Sequence, residues 1–270
     1  MEYKTQSAKS RDRILVMFVG HGSPMNAIED NRWSRGFAAL RAAVPKPAAI
    51  LAISAHWYVD GSFLTSNKRP PTIRDFGGFP ESLYQIQYPA PGDPDLAETV
   101  QALLGKDQIQ LSEDWGLDHG IWSVLVWMYP DAEIPVVQLS IDRKLDIHEH
   151  FEIGRQLVTF RDQNILIMAS GNIVHNLRDA FRQMRAGTAD IPDWALRFDA
   201  AVKSAVVAHD TEALLSLYPD SADAQLAHPT PEHWLPLLYA VGATNENDPI
   251  QFSNEGFAWG SLSMRNIIFG

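Results

Sequence analysis

None of the 270 residues is cysteine, so the chain can form no disulfide, and any metal it binds must be held by nitrogen and oxygen. No stretch approaches the roughly 20 consecutive apolar residues that a membrane span requires. The first thirteen residues, Met1 to Arg13, are polar and have no apolar signal-peptide core. These absences predict a cytosolic protein, with residues 1–12 forming a flexible tail. Basic residues are also scarce. Lys and Arg number 22 against 33 Asp and Glu, a net charge of -11 that argues against a nucleic-acid binder, whose phosphate contacts need a basic surface. There is no His-Glu-x-x-His helix, no Gly-x-Ser-x-Gly elbow and no Walker loop. Gly20-His21-Gly22-Ser23 echoes a phosphate loop only superficially, since the lysine is missing. No internal repeat or linker divides the chain.

What remains is an ordinary globular balance of 46% apolar and 20% charged residues. Ile14–Val19 and Ala48–Ser54 are continuous apolar runs, the pattern of strands buried on both faces. Ser62–Ser66, Pro135–Ser140 and Asn164–Ala169 read as further strands, and Ser261–Phe269 as a closing one. Helices are predicted over Asn31–Val44, Asp93–Leu104, Ile121–Tyr129, Ile147–Arg161, Pro192–His209 and Thr211–Tyr218, with another opening at Thr230. Asn67–Pro91 follows neither period, yet its Phe-Gly-Gly-Phe-Pro segment is too aromatic for a linker and is expected to be ordered. The alternation predicts a single α/β domain with a mostly parallel central sheet flanked by helices. Ligands of such sheets bind beyond the carboxyl ends of the strands.

Five of the nine histidines stand at turns or element ends. His21 and His56 follow the first two buried strands directly, and His175 comes shortly after the strand ending in Ser170-Gly171. His119 opens a helix behind Asp118, a carboxylate within reach of its tautomer-holding nitrogen if the two side chains meet. Thr230 as an N-cap and Pro231 at the first helical position would project His233 from a rigid first turn, and Pro236 should distort that helix. Glu232 is a possible oxygen ligand beside it. His228 is either structural or placed just behind the site. His148 and His150, two apart on a helix, cannot share a face and read as solvated; His209 suits a helix end. Histidine is the commonest metal ligand and titrates near neutrality, so a convergent set predicts a metal centre with acid–base partners.

Five segments carry a further signal. Gly20-His21-Gly22-Ser23-Pro24, Ser54-Ala55-His56-Trp57, Asp118-His119-Gly120, Ser170-Gly171-Asn172-Ile173-Val174-His175-Asn176 and Pro231-Glu232-His233, in this order, resemble the class III extradiol ring-cleaving dioxygenases, in particular the branch similar to 4,5-DOPA extradiol dioxygenases. The resemblance implies that residues 13–270 form one catalytic domain with a divalent metal at the strand carboxyl ends. It implies His21, His56 and His233 as ligands, His175 as a further ligand or an acid–base group, and His119 as an acid–base group. It implies Fe²⁺ for ring cleavage, a small aromatic diol and O₂ as the partners, and, from the branch, L-DOPA as the diol. The wider superfamily has a glutamate as third ligand, whereas this chain offers both Glu232 and His233, and a histidine-rich set also suits Zn²⁺. Two alternatives use the same residues: a zinc hydrolase, which would need no O₂, and a non-catalytic metal-dependent binding protein, against which two acid–base histidines speak. Oligomeric state is not written in the sequence.

Overall fold

The computed structural model describes residues 13–270, so the tail expected at 1–12 lies outside the described residues. Its centre is an eight-stranded sheet in the order β4-β3-β5-β2-β6-β1-β10-β7. The strands are β1 (Val16–Gly20), β2 (Ala49–Val59), β3 (Ser62–Thr65), β4 (Ile109–Ser112), β5 (Val136–Asp142), β6 (Ile165–Gly171), β7 (Ile250–Ser253) and β10 (Asn266–Phe269). The four in the middle, β5, β2, β6 and β1, are mutually parallel, while β10 pairs antiparallel with β1 and β7. The closing stretch 261–269 is therefore two pieces. Leu262–Ser263 (β9) forms a small hairpin with Phe257–Ala258 (β8), and only β10 joins the sheet.

Successive residues of the central strands enter opposite cores, as a strand covered on both faces requires. Val16, Phe18, Leu51, Ile53, Ile167 and Ala169 belong to one buried cluster. Met17, Val19, Ile50, Ala52, Leu166 and Met168 belong to the other. Helices α1 (Arg32–Ala43) and α4 (His119–Met128) contribute to the second core, and α3 (Pro94–Leu104), α7 (Asp193–Val207) and α10 (Leu235–Gly242) to the first. Two side-chain caps hold helix starts: Asn31 accepts from the amides of Trp33 and Ser34, and Asp93 from Leu96. The remaining helices are α2 (Glu81–Tyr84), α5 (Ile147–Leu157), α6 (Leu177–Ala186), α8 (Thr211–Leu215) and α9 (Ala222–Ala227).

Several expectations need correction. The strand expected to end at Ser54 runs on to Val59, with a break in register against β5 between Ile53 and Tyr58, so His56 lies inside β2 rather than beyond it. Thr230 caps no helix. Residues 231–234 form a turn closed by the Trp234 and Leu235 amides on the Pro231 carbonyl, and α10 begins at Leu235. Pro236 then sits in the first turn, where its missing amide has no intrahelical partner to lose, and it distorts nothing. His150 is fully buried, its Nδ1 2.8 Å from the Tyr239 hydroxyl, while His148 is exposed. The two-residue spacing did separate their faces, and one of those faces is the core.

Candidate metal centre

All five singled-out histidines line one cavity of about 540 Å³ at the carboxyl ends of β1 and β6 and the irregular part of β2. His21 follows β1, its amide on the Gly171 carbonyl and its own carbonyl taken by the Asn26 side chain at 3.0 Å. His56 is carried inward by the irregular part of β2, and a bulged strand re-aims a side chain in this way. His233 hangs from the 231–234 turn, whose carbonyl at His233 accepts the Asn172 amide. A methyl group on Gly171 would lie 2.4 Å from that carbonyl oxygen, so the turn seats this closely only on glycine. His175 is held by its amide on Ala227 and by a bridge to Leu262. His119 is the first residue of α4.

The hydrogen bonds fix the tautomers. Ser170 donates its hydroxyl to the Gly120 carbonyl at 2.5 Å, so at 2.9 Å from His21 Nδ1 it must accept a proton from that nitrogen. The Asp75 carboxylate lies 3.0 Å from His56 Nδ1 and 2.8 Å from His119 Nδ1, and also accepts the His119 amide at 3.0 Å. The Glu232 carboxylate lies 3.3 Å from His233 Nδ1 and accepts from the Thr230 hydroxyl. With each Nδ1 donating, the Nε2 atoms carry bare lone pairs. His21 Nε2 and His56 Nε2 face each other at 3.0 Å, and His233 Nε2 is buried without a partner. The ligand atoms of His21, His56 and His233 all lie within 4.8 Å of one another. Three ring nitrogens this close together could hold a divalent cation, and an all-nitrogen set suits iron or zinc.

Burial pushes His21, His175 and His233 well below the ordinary imidazole value, and their imidazole neighbours push the same way. His119 is lowered to about 4, chiefly by burial and then by His56, against the opposing pull of Asp75. For His56 burial is outweighed by Asp75 and Asp118, and its value is raised. Asp75 is held well below the usual carboxylate range: burial opposes this, but its bonds to His119 and His56 prevail.

Asp75 is the residue that sequence reasoning missed. The expected partner of His119, Asp118, turns away, accepting from Ser54 at 2.7 Å and from the Gln138 amide. Asp75 comes instead from the irregular 67–91 stretch, which is ordered as expected. Arg74 ties it down through the carbonyls of Tyr84 and Ile86, and the Trp122 indole through that of Ile73. His175 stacks flat on His233, ring centres 3.4 Å apart, and lines the same cavity as His119. His228 does not line the cavity. Its Nε2 meets the Ile173 carbonyl at 2.7 Å and braces the segment that carries His175. Glu232 does not line the cavity; its carboxylate meets His233 Nδ1 and lies within 4.8 Å of ring nitrogens of His175 and His233.

Residues 15–270 match the family described as the catalytic LigB subunit of aromatic ring-opening dioxygenase. A 4,5-DOPA dioxygenase extradiol from Escherichia coli strain K12 is 45% identical over 97% of this chain and 96% of its own length. A 4,5-DOPA dioxygenase extradiol from Beta vulgaris is 38% identical over 96% and 98%. The crystal structure of an uncharacterized protein from Escherichia coli K12 superposes with a TM-score of 0.83 at 41% identity, covering 96% of this chain and all of the other.

Proposed function

The chain belongs to the LigB family of aromatic ring-opening dioxygenases, as an extradiol ring-cleaving enzyme, and from that premise we propose how its residues divide the work and what they act on. The substrate is a catechol, and the compound named for the relatives, L-DOPA, is the first to try. His21, His56 and His233 hold the metal through Nε2. Glu232 orients His233 rather than binding metal, a reading supported by its place on the Nδ1 side of that ring. The metal is Fe²⁺; when bound, it supplies the electronic coupling between ring and O₂ that no side chain provides.

The remaining chemistry belongs to the protein. Asp75 fixes the Nδ1 proton of His119, which leaves the Nε2 lone pair free to accept the proton of a catechol hydroxyl. His175, lining the same cavity, is placed to return a proton as the ring opens. Aromatic and aliphatic walls exclude water from the diol while it is deprotonated. Both oxygen atoms of O₂ enter the ring-opened product, so no external reductant is consumed. A cysteine-free chain is suited to a cytosolic address, and residues 13–270 are read as one catalytic unit.

The observation that carries this reading is the trio of imidazoles with engaged Nδ1 and bare Nε2 atoms, sharing a cavity with His119 and His175. The test is oxygen uptake with L-DOPA and unsubstituted catechol by protein reconstituted anaerobically with Fe²⁺. Uptake with a yellow ring-opened product is expected, together with loss of both metal and uptake in His21→Ala. No uptake by iron-loaded protein with any catechol would overturn the reading in favour of a zinc hydrolase.

A further inference from the structure

The connection from β1 to α1 runs from His21 out to the rim of the cavity, where Glu29 is exposed and yet lines the same space. Glu29 is held in place. Its amide bonds the Met25 carbonyl at 3.0 Å, and its carboxylate accepts from the Asn31 side chain at 3.2 Å. The Asn31 amide also donates to the Asn26 side chain, which in turn donates to the His21 carbonyl, and the Trp127 indole donates to the Asn26 carbonyl. A chain of side-chain amides therefore mounts the carboxylate and the His21 backbone on one frame. Asn31 engages one carboxylate oxygen, Oε2, so the other can take a donor from the cavity.

A strained aromatic residue lines the cavity as well. Trp259 stands at φ 47°, in the left-handed region that a bulky side chain adopts only under constraint. It lies in the tight connection between β8 and β9 and is followed by Gly260, also left-handed, where a methyl group would collide with the Asp190 carbonyl. The segment ahead of it is tied to the first turn of α1. Asn254 donates to the Trp33 carbonyl at 2.9 Å, and Arg32 to that of Glu255 at 2.8 Å. The hairpin and the Glu29 loop are thus neighbouring parts of one wall. A carboxylate and an indole together suit an alkylammonium, the first by a charge-assisted hydrogen bond and the second by cation–π attraction. Much of the outer cavity is apolar: Leu177, Phe181 and Met184 of α6 line it at helical spacing, as do Phe76 and Phe79, edge-to-face with ring centres 5.4 Å apart. Such surroundings seat hydrocarbon and strengthen an ion pair formed beside them.

We infer that Glu29 and Trp259 form the subsite that receives the ammonium group of a catechol carrying an aminoalkyl side chain, while the diol goes to the histidines. This inference rests on the ring-cleavage reading above and deepens it by naming the residues that select among catechols. L-DOPA and dopamine both carry the recognised group. 4-Ethylcatechol has the dopamine skeleton without it.

The test is kcat and KM by oxygen uptake for the Fe²⁺-loaded enzyme with L-DOPA, dopamine and 4-ethylcatechol, at low and high NaCl. Glu29→Gln keeps an acceptor for Asn31 and removes the charge. It should raise KM for L-DOPA and dopamine by about fivefold more than for 4-ethylcatechol, the upper range for a solvent-accessible ion pair. High salt should raise KM for dopamine in the unmodified enzyme, and this dependence should be lost in the variant. Trp259→Leu should raise KM more for dopamine than for 4-ethylcatechol. Equal shifts of KM for all three compounds in Glu29→Gln, or no shift for any, would overturn the inference and leave ring cleavage standing. Absence of uptake with all three by the unmodified enzyme would overturn the ring-cleavage reading, and this inference with it.

Discussion

The two ends of the cavity are built on opposite physical terms. At the histidine end the groups are largely buried and held by hydrogen bonds: His21 on Ser170 and the Gly171 carbonyl, His56 and His119 on Asp75, and His233 on the turn clasped by Asn172. At the α6 end the side chains are half exposed and apolar, and no hydrogen bond orients them. Reaction geometry must be held to fractions of an ångström, which rigid strand ends with hydrogen-bonded supports can do. Shape selection by dispersion and burial is non-directional and tolerates a mobile wall. The same cavity thus separates what is done from what is admitted.

That contrast can be broken most sharply at His119. His119→Ala should lower kcat by about 10²–10⁴-fold, the usual worth of a positioned proton acceptor, while metal content stays near that of the unmodified protein. Parallel loss of iron would place His119 among the ligands instead. Asp75→Asn comes next, because Asp75 supports two rings through one carboxylate. One oxygen of Asp75 faces both Nδ1 atoms and the other accepts the His119 amide; asparagine has a single acceptor oxygen and no charge, so metal affinity and kcat should each fall by about 10–100-fold. An unchanged metal dissociation constant would show that Asp75 serves His119 alone. Behind the histidine end, His150 and His228 are buried and lowered to about 4, chiefly by burial, against 6.5 for a free imidazole. In that window the unfolded chain binds more protons than the folded one. Stability should therefore be full above about pH 6.5 and decline as pH falls toward 4. Urea midpoints measured across this range check the slope, which His150→Gln should reduce. The smallest effect belongs to the α6 end: Phe181→Ala should raise KM for an apolar catechol by about threefold with kcat retained, since only part of the ring is buried. A fall in kcat instead would mean that α6 also positions the diol.

The same division governs how far the molecule could be read from its sequence. The central strands were legible because each is a continuous apolar run, and His21 and His175 because they follow such runs past Gly20 and Gly171. Asp75 was not, since its partners lie 44 residues later and 19 earlier, and only the folded 67–91 stretch brings them together. Helix α6 escaped notice although Asn176, the 177/181/184 spacing and Gly187 mark it, because its apolar face serves a cavity and the segment is otherwise rich in charge. His150 was read as solvated because the spacing rule separates two faces without saying which is inward. The hairpin of β8 and β9, which reaches His175 through Leu262, rests on pairs too short to leave a periodic trace.

The irregular part of β2 has one more consequence. Between the positions paired with Leu139 and Ile141, β2 advances from Ile53 to Tyr58, five residues against two. The surplus residues forgo ladder bonds with β5, and they include His56, which brings an imidazole into the cavity. A version of this strand shortened to match its neighbour would close the ladder and give a more regular sheet. It would also carry no imidazole at that place. Selection for stability alone would favour the shorter strand, so this segment is where the fold has traded regularity for activity. Loss-of-function deletions that leave the protein well folded should concentrate between Ser54 and Trp57.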